Sequence, residues 1–249
     1  MSGHSKWATI KHKKAAADAK RGKVFTRLIR ELQIAARAGG GEVDTNPRLR
    51  TAVAAAKAQS MPAENIKRAI LRGTGQLEGE TLEEITFEGY GPGGVAVIVE
   101  TVTDNRNRTV SELRHMFSKN GGNLGENGCV SWIFDNRSLV VVPKTAASEE
   151  QLMDLVLGVG AEDMRDEEEN WSVVSPPSAH EAVLAALKGA GIEPTTAEVT
   201  KLPQNYVKVE GKQAGAVLRM VEALEEHDDV QNVYSNFDIE DKELEALSA

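Results

Sequence analysis

From Val24 onward, Phe25, Leu28, Ile29, Leu32 and Ala36 recur at steps of three and four, with Lys23, Arg27, Arg30 and Arg37 between them. That period places an apolar stripe along one side of an α-helix and predicts a basic outer face on the other. Gly39-Gly40-Gly41 ends this helix, and Asn46-Pro47 supplies a cap and a first-turn proline for a second one carrying Leu49, Val53 and Ala56. After Met61-Pro62, a third short helix sets Ile66 and Ile70 on one side and stops at Gly73. Such narrow stripes build only a small core, so this helical domain is expected to lean on the rest of the chain or move relative to it.

Past a Gly-, Thr- and Glu-rich stretch at 73–81, the pattern changes to β-branched runs. Ile85-Thr86-Phe87 and Val95-Ala96-Val97-Ile98-Val99 read as strands. The capping-box pattern Thr109-Val110-Ser111-Glu112 starts a helix that ends at Gly121-Gly122, and Val130-Ser131-Trp132-Ile133-Phe134 reads as the next strand. A strand at Leu139-Val140-Val141-Val142 and a helix opened by Ser148 follow, then strands around 162–167 and 171–174. A second capping box, Ser178-Ala179-His180-Glu181, and a strand at 194–202 complete a β-α-β-β-α-β order, the ferredoxin-like plan. The last elements, Tyr206-Val207-Lys208-Val209, a helix with Val217, Leu218, Val221 and Leu224, and a strand at 230–234, are too few to stand alone. They are expected to join the sheet begun before the ferredoxin-like unit. The predicted class is therefore α+β, with a helical domain at 1–78, a discontinuous α+β domain at 79–135 and 204–249, and an inserted ferredoxin-like α+β domain at 136–203.

Charge changes this picture only when it is resolved along the chain. The 249 residues carry a formal net charge of -9, which by itself argues against a polyanionic partner. Residues 1–75, however, hold 16 Lys/Arg against 5 Asp/Glu, while the remaining 174 hold 13 against 33, so a balance of +11 is joined to one of -20. A basic module attached to acidic domains points to an anionic ligand met by the first third of the chain. The single cysteine, Cys129, excludes an internal disulfide and a Cys-based zinc site, and suits a reducing cytosol. The longest apolar run, 95–99, is far below the ~18 residues of a membrane helix. The N-terminus lacks a signal peptide's apolar stretch. A cytoplasmic protein without a membrane partner is expected.

Catalytic and metal-binding patterns are weak. Gly89-Tyr90-Gly91-Pro92-Gly93-Gly94 satisfies the G-x-G-x-x-G expression, but a strand follows where a helix should, and Pro92 removes an amide donor; a structural turn is the expectation. Gly121-Gly122-Asn123-Leu124-Gly125-Glu126-Asn127-Gly128 lacks the Lys-Ser or Lys-Thr of a P-loop and reads as a helix cap and turn, with a binding contact to a phosphate or another backbone as the alternative. The histidines, His4, His12, His115, His180 and His227, show no ligand spacing, and His180 and His227 are expected to be surface side chains. No G-x-S-x-G or kinase-type set occurs, so neither an enzyme, a metal centre, a cofactor nor a small-molecule substrate is expected. Asp104-Asn105-Arg106-Asn107-Arg108-Thr109 lies between a strand and a helix start, where Arg106 and Arg108 form either a secondary anion site or part of a solvated loop.

The strongest signal is the opening Ser2-Gly3-His4-Ser5-Lys6-Trp7-Ala8-Thr9-Ile10-Lys11-His12-Lys13-Lys14. Lys6, Lys11, Lys13 and Lys14 surround Trp7 and continue into Lys20, Arg21, Lys23, Arg27 and Arg30. Such cations neutralise phosphates and release counterions, and an aromatic face beside them can stack on a base. These residues are the expected nucleic-acid contacts, for DNA or RNA. The alternative is a solvated tail with Trp7 tucked onto a neighbouring helix.

Four segments, 3–14, 87–96, 103–109 and 122–125, resemble the YebC/PmpR family in the family's order, and the resemblance spans essentially the whole chain. It implies a helical domain and two α+β domains, one inserted into the other, and it does not imply an enzyme. Bacterial members are described as DNA-binding transcriptional regulators. Mitochondrial relatives are translational activators of cytochrome oxidase, and bacterial relatives have been tied to ribosomes stalled on proline-rich sequences. The resemblance thus implies a DNA-binding transcriptional regulator, with a ribosome-associated translation factor as the alternative. No helix-turn-helix with a base-reading face is evident, and the oligomeric state is not legible.

Overall fold

The computed structural model describes residues 17–167 and 169–248, and the chain divides into two compact units. One is Trp132–Asn205; the other joins the segments on either side of it.

Among the described residues, the second unit begins with three helices, α1 (Ala17–Gly39), α2 (Pro47–Ala58) and α3 (Ala63–Gly73). Buried Asn46 ties two of them together. Its Oδ1 accepts from the Leu49 amide at 3.0 Å, capping α2, while its Nδ2 donates to the carbonyls of Ala35 at 2.7 Å and Gly40 at 2.9 Å at the end of α1. Leu32, Ala35, Ala36, Leu49, Ala52 and Ile66 belong to a core in which small residues let the helices approach closely. A Cβ at Gly73 would run into the Gln33 carbonyl of α1. Gly73→Ala is therefore expected to destabilise the protein by about 2 kcal/mol, read as a lower urea midpoint with unchanged m.

The chain then forms β1 (Glu83–Tyr90), β2 (Ala96–Thr103), α4 (Arg106–Lys119) and β3 (Asn123–Leu124). Two sequence expectations fail here. Helix α4 starts three residues before the Thr109 box, with Asn105 as N-cap accepting from the Arg108 amide at 3.1 Å. Thr109 is buried, and its hydroxyl is used elsewhere. Residues 130–134 do not form the next strand: Ser131–Ile133 is a 3-10 turn. The cause is the buried carboxylate of Glu88, which accepts from the amides of Gly128, Val130 and Ser131, each at 2.8 Å, and so takes the groups a ladder would need. Burial pushes the Glu88 carboxyl up, but those three backbone bonds outweigh it and hold it below its ordinary value. Glu88→Ala should leave buried amides unpaired and cost about 2 kcal/mol, with faster hydrogen exchange at 128–131 as the local signature.

The other unit has β4 (Phe134–Pro143), α5 (Glu149–Leu157), β5 (Asp163–Glu167), β6 (Asn170–Ser175), α6 (His180–Gly189) and β7 (Thr196–Pro203). Its sheet runs β5-β6-β4-β7, antiparallel throughout, which is the ferredoxin-like order. Ser148 caps α5 as expected, accepting from Gln151 N. The Ser178 box does not form. Pro177 opens a 3-10 turn over Pro177–Ala179, so α6 begins at His180 without a side-chain cap. His180 is accordingly not a loose surface side chain: its Nδ1 lies 2.7 Å from the buried Ser138 hydroxyl.

The chain returns through β8 (Val207–Lys208), α7 (Gly211–Glu226), β9 (Val230–Ser235), β10 (Phe237–Asp238) and α8 (Asp241–Ser248). Strand β9 pairs antiparallel with β2, giving the sheet order β3-β1-β2-β9, so the tail joins the sheet begun before the ferredoxin-like unit. β8 and β10 form a separate parallel pair. Phe117, Val97, Val99, Val217, Val221 and Leu224 lie in the core that this sheet shares with α4 and α7. The fold is α+β with one domain inserted into the other. No helix among the described residues is long and apolar enough to cross a membrane.

Candidate nucleic-acid interface

Of the predicted contacts, Lys6, Trp7, Lys11, Lys13 and Lys14 lie outside the described residues. Lys20 and Arg21 fall in the first turns of α1. Lys23, Arg27 and Arg30 follow on the same helix; Lys23 is exposed as the helical period suggested, whereas Arg30 is drawn inward. Lys23 and Arg37 remain exposed and Arg30 is partly buried, and each also reaches the edge of the α+β layer. Lys23 Nζ donates to the Glu226 carbonyl at 2.9 Å. Seven residues on, Arg30 Nη1 lies 2.6 Å from the Asp228 carbonyl and 3.1 Å from that of Val102. Seven further on, Arg37 Nη1 donates to the Leu82 carbonyl at 2.6 Å. Two turns of helix separate successive cations, so they share one line along α1. Carbonyls at the end of α7 and at loop edges lack ladder partners and carry partial negative charge, which is why cations settle there.

Arg30, the middle cation of the line, also reaches Asp229, which is 2% exposed. Its Oδ1 accepts from Arg30 at 2.7 Å, and its Oδ2 from Arg108 at 3.0 Å, Thr109 Oγ1 at 2.6 Å and Thr103 Oγ1 at 3.2 Å. One carboxylate thereby joins α1, the end of β2, the start of α4 and the start of β9. Arg108 also pairs with Asp104 at 2.7 Å. Both arginines singled out by sequence, Arg106 and Arg108, are exposed, but Arg108 is also held in this network. Arg27 is half-buried on α1. Burial lowers its guanidinium pKa against the raising influence of Glu225 and Asp228, and its Nε has no hydrogen-bond partner among the described residues.

A cavity of about 900 Å³ opens beside this seam, lined among others by Lys23, Arg30, Arg108, His115, Glu226 and Asp228. His227, expected at the surface, is instead largely buried there. Its Nδ1 accepts from the Asp229 amide at 3.1 Å, so Nε2 carries the proton and donates to Glu112 at 2.8 Å. Glu112, His227 and Asp229 are close enough to suggest a metal site. The donor set does not fit a cation: the Asp229 oxygens are saturated by two guanidinium groups and two hydroxyls, and the His227 ring offers no free lone pair. No sequence signal separated Asp229 from its neighbour Asp228; its partners come from segments far apart in the chain.

A family model described as the TACO1/YebC protein N-terminal domain matches residues 5–76, and one described as the TACO1/YebC second and third domain matches 82–237. A "Probable transcriptional regulatory protein" of Koribacter versatilis is 61% identical over 248 residues, covering 100% of both chains. One of Acidobacterium capsulatum is 64% identical over 243 residues, covering 98% of each. Among solved structures, a conserved hypothetical protein from Aquifex aeolicus is similar with a TM-score of 0.80 and 48% identity, covering 93% of this chain and 96% of that one.

Proposed function

The chain belongs to the TACO1/YebC family, and from that premise we propose that it is a non-enzymatic, cytoplasmic, nucleic-acid-binding regulator of gene expression, acting as a DNA-binding transcriptional regulator. The observation that carries this reading is the charge division, +11 over residues 1–75 against -20 over the rest. The names of the relatives, probable transcriptional regulatory proteins, support the same level of action. The leading phosphate contacts are Lys6, Lys11, Lys13, Lys14, Lys20 and Arg21, with Trp7 as a stacking face. Lys23, Arg27 and Arg30 extend the same basic track, and Arg106 adds a cation at the start of α4. The acidic remainder repels phosphate and orients the complex with the helical domain leading.

Fluorescence anisotropy with promoter fragments, in competitor duplex at physiological salt, tests this reading. Preferential retention of particular fragments is expected. Equal affinity for every duplex, together with co-sedimentation on ribosomes, would move the activity from transcription to translation. Absence of binding to both DNA and RNA would overturn it altogether.

A further inference from the structure

The cations of α1 face a conflict. Lys23 and Arg30 belong to the basic track assigned to phosphate, yet in the structure they are engaged by the Glu226 and Asp228 carbonyls and by Asp229. A phosphate oxygen cannot take the same N–H groups while those bonds persist. We infer that the seam between α1 and the α+β layer is an autoinhibitory clasp that a nucleic-acid backbone opens by competing for Lys23, Arg27 and Arg30. This rests on the functional reading above and adds a conformational step to it.

Three observations carry the inference. Among the described residues the seam is ionic: its buried apolar part is a small cluster of Ile34, Leu82 and Val102, and its other ties are the charge-assisted bonds of Lys23, Arg30 and Arg37, with Arg48 bridging Glu31 and Glu84 at its outer edge. Charge-assisted bonds are the kind that a polyanion can replace with equivalent ones, whereas an apolar seam offers it nothing. The second observation is the state of Arg27. Its guanidinium is half-buried and its Nε has no partner among the described residues in the closed arrangement, so opening toward phosphate gives that Nε an acceptor. Third, the cavity of about 900 Å³ reaches Lys23, Arg30 and Arg108, which leaves the clasp accessible from outside. The stretch between α3 and β1 is exposed over 75–81 and includes Gly75 and Gly79, so the helical domain stays tethered when the seam parts.

The test is energy transfer between dyes on cysteines placed at exposed Lys57 of α2 and exposed Glu222 of α7, in a full-length Cys129→Ser background. A DNA duplex and an RNA stem-loop are the probes, with binding followed in parallel by anisotropy. Transfer is expected to fall along the same titration curve as binding. Asp229→Asn, which releases Arg30 and Arg108, should bind the probe roughly tenfold more tightly than wild type, because less of the protein is held closed. Glu126→Gln, which removes the same charge in the exposed loop, should change affinity far less. Binding with unchanged transfer overturns the clasp and leaves the functional reading intact, and so does an Asp229→Asn affinity no better than that of Glu126→Gln. A wild-type protein that binds neither probe overturns both. The wild-type transfer measurement decides the matter even if Asp229→Asn folds poorly.

Discussion

Asp229→Ala is expected to lower the unfolding free energy by about 3 kcal/mol, one of the largest effects of any single replacement in the α+β layer. The carboxylate is buried and receives Arg30, Arg108, Thr109 and Thr103 together, so its removal takes one acceptor from two guanidinium groups and two hydroxyls at once. The pH dependence gives a second, independent check. Burial alone would push this carboxyl up, but bonds from Thr109, Arg108 and Arg30 overcome it and hold the group at about 2, against an ordinary 3.8. A carboxyl whose folded value is depressed contributes its full stability above the unfolded value. That contribution fades as pH falls from about 4 through about 2, and it amounts to about 2 kcal/mol. Urea titrations of wild type and Asp229→Asn should therefore converge across that acid window. Parallel curves would show that the carboxylate charge is not what the network uses.

Replacing Lys11, Lys13 and Lys14 together with Glu should weaken nucleic-acid binding by roughly 100-fold at physiological salt, with the thermal midpoint little changed. Each lost phosphate contact also lowers the steepness of the salt dependence, so the log–log slope should flatten by roughly three. The second readout separates phosphate contact from a general charge effect. If affinity and slope both survive, phosphate is held elsewhere on the chain, and the basic opening segment is a solvated tail.

The elements were largely legible because they follow local rules. The period of three and four from Phe25 to Ala36 marks α1, Asn46-Pro47 caps α2, Ser148 caps α5, and alternation and β-branching mark the strands. The errors cluster where a distant group captured a local signal. The Thr109 box looked like a helix start, but that hydroxyl belongs to Asp229, 120 residues away. The strand expected at 130–134 became a turn because Glu88, on another strand, took its amides. His227 looked like a loose surface residue until Glu112 and the Asp229 backbone enclosed it.

The same division holds for function. Sequence alone determined that the first third of the chain is cationic and the rest acidic, because charge is additive along a chain and needs no fold to be counted. It also determined the α+β class and the inserted ferredoxin-like order, since both rest on short-range periodicity. Which cations are spoken for was decided only by tertiary structure. A helical wheel has an apolar side and a basic side, but it does not say what the basic side faces. The carbonyls of Glu226, Asp228 and Leu82 and the carboxylate of Asp229 reach α1 only when strands and helices remote in sequence close around it.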